Sequence, residues 1–480
     1  MKIFNTITKR EEDLIIKDNT IKWYNCGPTV YDSPHLGHAR TYIMFDVIRR
    51  IFEDYYGYDV IYVMNITNID DKIINKAKEL KMGDMNKAVE IVYTKYEKEF
   101  FDGLEKLNVK LPTFVTHVTD YVGKIIEFIE ELENKGIAYE SNGSVYFDMV
   151  KYKEKRHAPI FVPDSAVEEE GESNEKKNKI DFVLWKKAKE GEIFYESKWG
   201  EGRPGWHIEC SAMAADIFGD ELDIHTGAVD LKFPHHENEI HQCQAYFDKE
   251  PWVRYFMHSG HLHIDGLKMS KSLKNFITIE ESLKKYTSRQ LRILFLNTPY
   301  NAPMTYKIES MEYAKVQEAR IFNFLSVAES KIKDNKNIFK IMTMEDRMVV
   351  NMLIKAQKEV RDSFEDNFNT FKTMTAILNL ISVMNQKIDT LTNSTILAVK
   401  NFIEKILRIL GVITEEVNKT EDNDVLDILG EYRNAIRKLA AKKKDHSEFF
   451  AESDKLREKL KEKGYIIEDN GKDSRIRKIV

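Results

Sequence analysis

The chain has 480 residues, 42% of them hydrophobic and 32% charged, with a net charge of −6. That length exceeds one hydrophobic core, since domains settle at about 100 to 200 residues, and the composition excludes a disordered or fibrous protein. No apolar run reaches the ~18 residues of a membrane-spanning helix, the start MKIFNTITKREEDLIIKDNT lacks a signal-peptide core, and the acidic balance excludes a general nucleic-acid binder. A cytoplasmic protein is therefore expected, and any RNA contact would have to come from local basic patches. The three cysteines, Cys26, Cys210 and Cys243, make no disulfide framework, so reduced thiols available to a metal are expected instead.

In chain order, Ile21 to Tyr24 reads as a short strand leading into Cys26-Gly27-Pro28, followed by helical periodicity from Thr41 to Phe52. Val60 to Ile66 is rich in β-branched and apolar residues with no polar alternation, the pattern of a parallel strand covered on both faces. The stretch from Pro112 to Gly205 changes composition and contains the charged segment Val167 to Lys179, read as an inserted subdomain with one mobile loop. Further strands are expected at Leu222 to His225 and Trp252 to His258, with Asp265-Gly266 as a hairpin turn. Beyond Pro303 the pattern becomes helical, with one stripe at Phe371, Met374, Leu378 and Ile381 and another at Ile396, Val399, Ile403, Ile406 and Leu410. A basic helix from Arg437 to Lys444 and a strand from Tyr465 to Ile467 close the chain.

The fold class is thus α/β. A Rossmann-like parallel-sheet catalytic domain is split into residues 1–111 and 206–265 by the insertion 112–205. A loop region at 266–302, a helical bundle at 303–412 and a small mixed α/β module at 413–480 follow.

Three constellations carry chemistry. His35-Leu36-Gly37-His38 opens a helix, placing two imidazoles on one face, with Gly37 allowing a flat ligand near the backbone and the helix N-terminus favouring phosphate. Lys268-Met269-Ser270-Lys271-Ser272 offers two mobile ammonium groups separated by a hydroxyl, suited to a polyphosphate. Standing alone, the first would read as capping or surface histidines and the second as a solvated basic loop. The third is Cys26 and Cys210 with His235-His236-Glu237-Asn238-Glu239. Two thiolates, an imidazole and a carboxylate make a four-ligand zinc site. Spacing leaves the partners open: His235 with Glu239, His236 with Glu239 and Glu237 with His241 are all helical neighbours.

The first two motifs, in this order across an insertion, resemble the HIGH and KMSKS signatures of class I aminoacyl-tRNA synthetases. Within that class YNCGPTVYDSPHLGHAR, NITNIDDKI, WHIECSAM and FPHHENEIHQ are similar to the cysteinyl-tRNA synthetases over nearly the whole chain. The resemblance implies ATP-dependent activation of L-cysteine and its transfer to tRNA(Cys), with ATP and Mg2+ in the nucleotide site. It selects Cys26, Cys210, His235 and Glu239 as ligands of one Zn2+ per chain, leaving Cys243 structural. It gives His35, His38 and Gly37 to the ATP phosphates, and Lys268, Ser270 and Lys271 to the departing pyrophosphate. It places Thr67, Trp206 and His225 in the amino-acid pocket, with Asp230 holding the α-amino group.

The bundle and tail would carry tRNA, with Arg433, Arg437, Lys438 and Lys442 to Lys444 as phosphate contacts. Ile476 stands where many members have Trp, a departure at the anticodon-reading tail. A monomer without membrane contact is expected. Two other readings share parts of the pattern: a ligase joining cysteine to a small amine, which would lack the region after Pro303, and a non-catalytic RNA-binding relative, which would have no need of intact signature motifs.

Overall fold

The computed structural model describes residues 1–156, 161, 174–264, 267, 268, 276–333, 341–414, 436, 454, 457, 458, 460, 461, 465–470 and 473–478. Met1–Val412 form one compact unit and Ile413–Val480 a second. Among the described residues no helix is long and apolar enough to cross a membrane.

The first unit is built on a five-stranded sheet in which every pair is parallel. Its spatial order is Val253–Ser259, Leu222–Ala228, Thr20–Asn25, Asp59–Ile66, Phe114–His117. From Thr20–Asn25 the chain moves outward through Asp59–Ile66 to Phe114–His117, then returns on the other side through Leu222–Ala228 to Val253–Ser259. The order therefore reverses between Thr20–Asn25 and Leu222–Ala228, and in open α/β sheets the crevice beyond the strand C-termini at such a reversal is where ligands bind.

Alternation along Thr20–Asn25 divides its side chains between two covered faces. Trp23 packs edge-on against Phe45 of the helix Leu36–Arg50 and against Phe52 and Tyr62. Tyr24 belongs to the core shared by Ile208 and Cys210 of the helix Trp206–Phe218 and Ile240 and Cys243 of the helix Glu237–Phe247. Cys26, two residues after Tyr24, falls in that same core.

Phe114–His117 joins the parallel sheet, which moves the start of the insertion past the boundary expected at 112. A four-residue edge strand with Phe114 and Val115 exposed has no apolar run to read. The insertion proper holds the helix Val122–Asn134 and an antiparallel sheet of Ala138–Ser141, Ser144–Phe147, Phe182–Lys187 and Gly202–Pro204. The charged segment expected to be mobile is docked where described. Glu175 accepts hydrogen bonds from Asn142 and Tyr146 at 2.8 Å each, and the Lys177 amide donates to the Tyr139 hydroxyl at 2.7 Å. Sequence composition could not show those local acceptors and donors; residues 167–173 lie outside the described residues.

Leu262–Ile264 pairs antiparallel with Leu267–Lys268 and parallel with Met304–Tyr306, so the bundle begins after its expected start at 303. A three-residue strand carries no period to betray it. The bundle helices are Ile308–Lys333, Met344–Glu365, Thr370–Lys387 and Asn393–Ile409. A buried ion pair binds bundle to catalytic part: Asp46 meets Arg292, whose other N–H groups donate to the carbonyls of Leu107 at 2.8 Å, Asn108 at 3.0 Å and Leu410 at 3.2 Å. In the second unit Tyr465–Asn470 and Asp473–Lys478 form an antiparallel hairpin. Ile476 pairs with Ile467 there, while Arg433, Arg437, Lys438 and Lys442 to Lys444 lie outside the described residues.

Candidate active site and metal centre

Cys26 ends the first sheet strand, its amide donating to the Thr226 carbonyl of the neighbouring strand at 2.9 Å. Gly27 follows, its amide on Asn65 Oδ1 at 2.8 Å. A Cβ there would collide with the Asn65 carbonyl, so only glycine lets the loop cross the sheet edge this closely.

Cys26 Sγ stands 3.8 Å from Cys210 Sγ and 3.6 Å from Glu239 Oε1, and His235 Nε2 lies 3.1 Å from the same oxygen. All four residues are buried, and their donor atoms lie within 4.8 Å of one another. Burial, then Cys210 and Glu239, pushes the Cys26 thiol well above the usual thiol range, and burial raises Cys210 as well. Burial, helped by His207 and His225, pushes His235 well below the imidazole range. Thiols, carboxylate and neutral imidazole crowded together without a cation are costly, whereas a cation would compensate the thiolates and carboxylate together. The donor set thus fits zinc.

Cys26, His225, His236 and Glu239 also come within reach of one another. That grouping offers one thiol where the first offers two; in it His236 Nδ1 is engaged by His258 Nε2 at 2.7 Å, its buried Nε2 has no hydrogen-bond partner among the described residues, and His225 Nε2 meets Glu239 Oε2 at 2.8 Å. In the first grouping His235 turns Nε2 inward while its Nδ1 meets His207 Nδ1 at 3.0 Å. A ligand nitrogen inward and an orienting partner outward is how protein metal sites hold histidine. His225, expected in the amino-acid pocket, is fully buried behind Glu239. The sequence did not single out His207, which lies beside Trp206 in WHIEC; three residues before Cys210 on one helix, it shares a helical face with that ligand. Cys243 Sγ is directed to the Ser211 carbonyl at 3.9 Å, away from the cluster.

Around the cluster, the Trp206 ring lies 4.6 Å from the His235 ring, and the buried Thr67 hydroxyl donates to Glu209 Oε2 at 3.2 Å. Asp230 is exposed in the turn after Leu222–Ala228, at the same end of the sheet.

The first of the other two motifs opens the helix Leu36–Arg50. His35 caps the helix Leu36–Arg50, its Nδ1 accepting from the amides of Gly37 at 3.1 Å and His38 at 3.4 Å, while His38 Nδ1 accepts from the His35 amide at 3.3 Å. The two rings stack at 3.9 Å. Because each Nδ1 accepts, each proton sits on Nε2, which makes both rings Nε2–H donors suited to phosphate oxygens. A Cβ on Gly37 would lie 2.8 Å from His35 Cε1, so glycine here also makes room for the capping imidazole.

Just beyond the second motif, the Leu36 amide donates to the Ile277 carbonyl and the Ile279 amide to the Pro34 carbonyl, each at 2.9 Å. Lys268 enters that motif from the strand Leu267–Lys268; its side chain, Ser270 and Lys271 lie outside the described residues.

Residues 13–316 match the family model for the catalytic domain of class I (C) tRNA synthetases. The chain is 50% identical to the cysteine–tRNA ligase of Encephalitozoon cuniculi over 100% of this chain and 99% of that one. It is 38% identical to the cysteine–tRNA ligase of Pyrococcus abyssi, covering 99% and 98% respectively. Among solved structures, methionyl-tRNA synthetase of Mycobacterium tuberculosis in complex with methionyl-adenylate superposes with a TM-score of 0.60 at 14% identity, over 82% of this chain and 90% of that one.

Proposed function

The chain belongs to the cysteine–tRNA ligase family of class I synthetases, and we propose that Cys26, Cys210, His235 and Glu239 hold the zinc ion by which it selects its amino acid. The enzyme activates L-cysteine with ATP and charges tRNA with the product. The observation that carries the zinc reading is the convergence of two buried thiols, an imidazole and a carboxylate at the sheet's reversal point.

Cysteine and serine differ by one atom, and a pocket reading shape alone separates such pairs by about 1 to 3 kcal/mol. A zinc ion supplies a soft Lewis acid that takes a thiolate and binds a hydroxyl poorly. The residues then position the rest. Trp206 closes over His235, Thr67 fixes Glu209, and Asp230 receives the α-ammonium group. His225 orients Glu239.

The cysteine carboxylate, already ionised, attacks the α-phosphorus of ATP. The new bond is carboxylate oxygen to phosphorus, the bond to the bridging oxygen breaks, and pyrophosphate leaves. No general base is needed, so the protein supplies alignment and charge stabilisation. The Nε2–H groups of His35 and His38 face the phosphates, while Lys268, Ser270 and Lys271 follow the charge developing on pyrophosphate with Mg2+. The 3′-terminal ribose hydroxyl of tRNA(Cys) then attacks the adenylate carbonyl, releasing AMP.

Pyrophosphate exchange into ATP with cysteine, serine or no amino acid, followed by charging of tRNA, tests this reading. Exchange and charging are expected with cysteine alone. Cys210→Ser should lose bound zinc and require far more cysteine. Stoichiometric zinc with an unchanged cysteine requirement in that variant would remove the ligand assignment.

A further inference from the structure

Arg40 lies on the helix opened by His35 and is buried to 1% exposure, yet among the described residues no carboxylate pairs with it. Its two terminal nitrogens donate to backbone instead, to the carbonyls of Gly260 and His261 at 2.7 Å each, Pro299 at 3.3 Å, and Ala302, while Nε has no hydrogen-bond partner among the described residues. Burial lowers its pKa only to about 10, so it stays charged at neutral pH. A buried cation satisfied by carbonyl dipoles alone is costly compared with a packed apolar side chain, and such a cost points to a role that packing does not fill.

The four carbonyls have one thing in common. Gly260 and His261 immediately precede Leu262–Ile264, the strand that pairs with Leu267–Lys268, and Pro299 and Ala302 precede its other partner, Met304–Tyr306. The two segments are themselves tied by Gly260 N to Tyr300 O at 2.8 Å and Met304 N to His261 O at 2.9 Å. Arg40 therefore grips the base of the small sheet that carries Lys268. The exit of the same lysine-bearing segment is held by Pro34 and Leu36, through Ile279 and Ile277. One helix with its leading turn thus fastens both ends of the segment that bears the lysines.

We propose that Arg40 is a positioning residue for the activation step: by clamping the carbonyls that precede Leu262–Ile264 and Met304–Tyr306, it fixes the small sheet from which the chain enters the second motif at Lys268. This rests on the reading that Lys268 and Lys271 act on the departing pyrophosphate. Arg40 does not touch substrate. It acts through the backbone at Gly260, His261, Pro299 and Ala302.

The test is pyrophosphate exchange with Arg40→Lys, Arg40→Met and Gly260→Ala, beside Lys271→Ala. Gly260→Ala keeps Arg40, but its Cβ would drive into the Ala302 carbonyl and open the same clasp. Misplacing reacting groups by about 1 Å costs on the order of 100-fold in rate. Arg40→Met should therefore lower kcat about 10- to 100-fold and raise the KM for ATP, while the KM for cysteine and the zinc content stay within about twofold of wild type. Arg40→Lys should recover part of the loss, and Gly260→Ala should show the same split between ATP and cysteine. Wild-type kinetics in Arg40→Met, or cysteine and ATP KM values rising together in both Arg40→Met and Gly260→Ala, would overturn the proposal, the second outcome marking a merely structural residue. If Lys271→Ala alone loses exchange, the reading of the lysines stands and the role of Arg40 falls. Full exchange in Lys271→Ala defeats both.

Discussion

Substituting His207 by alanine removes the hydrogen-bond partner of His235 Nδ1, 3.0 Å away, while leaving Cys26, Cys210, His235 and Glu239 in place. Both rings are fully or nearly fully buried, and His235 is held neutral by that burial. With Nε2 committed to zinc as proposed, the one proton of the neutral ring sits on Nδ1 and is donated to His207. Alanine strands that N–H in a dry site and frees the ring to turn. Loss of such an orienting partner lowers metal affinity about 10- to 100-fold, or about 1.4 to 2.7 kcal/mol at ~1.36 kcal/mol per decade. Zinc competition against a chromogenic chelator, at fixed pH, measures the change directly. Cysteine-dependent exchange should fall with it and recover in excess zinc, because the four ligands remain. Zinc affinity equal to wild type in a folded His207→Ala protein would refute the claim that His235 is a ligand oriented from behind.

Two further outcomes follow from the charges already described. Because burial raises the Cys26 and Cys210 thiols, the metal-free site holds its protons and zinc must displace them. Apparent zinc affinity should thus climb with pH by up to about tenfold per unit for each proton released, as chelator competition across about pH 6.5 to 8.5 would show; a flat profile would exclude thiolate ligands. In the metal-free protein the sign reverses. Thiols that ionise more readily unfolded than folded withdraw stability as pH rises through about 8.5, measurable by denaturant midpoints with chelator present. At the joint between catalytic part and bundle, burial would raise the Asp46 carboxyl, but Arg292 and Arg50 outweigh it and hold it below the usual range. Asp46→Asn leaves Arg292 buried without its counter-charge and should cost about 3 to 5 kcal/mol in denaturant unfolding. Wild-type stability in that variant would mean the joint contributes nothing.

The central strands were legible because burial on both faces writes itself as an unbroken apolar run. Val60 to Ile66 is such a run but for Asn65, and it lies within the strand Asp59–Ile66. The helical stripes were legible for the same reason, apart from Phe371, which is 49% exposed one turn from the buried Met374. Short strands were not, since Phe114–His117 and Met304–Tyr306 owe their pairing to distant partners. In the site, residue types and motif order could nominate a ligand set but could not choose between His235 and His236. Each has an outer hydrogen bond, to His207 in one case and to His258 in the other, and what differs is the company inside: His235 groups with both thiols and Glu239, His236 with Cys26 alone of the two. That information belongs to the folded chain and leaves no local trace in the sequence.

The position of Cys26 shows how closely recognition depends on strand geometry. Side chains alternate faces along a strand, so Tyr24 and Cys26 look toward the helices bearing Cys210 and Glu239, while Trp23 looks toward Phe45. Shifting the register by one residue would turn the thiol to the opposite face, among aromatic rings that offer a cation nothing. The register is held where it matters: Trp23 Nε1 donates to Thr226 Oγ1 at 2.8 Å, and Thr226 Oγ1 donates to Asn25 Oδ1 at 2.6 Å. These buried bonds join the two strands flanking the reversal, one residue before Cys26. The same pair of strands that flanks the reversal therefore also fixes which face presents the thiol, as the proposed metal site requires.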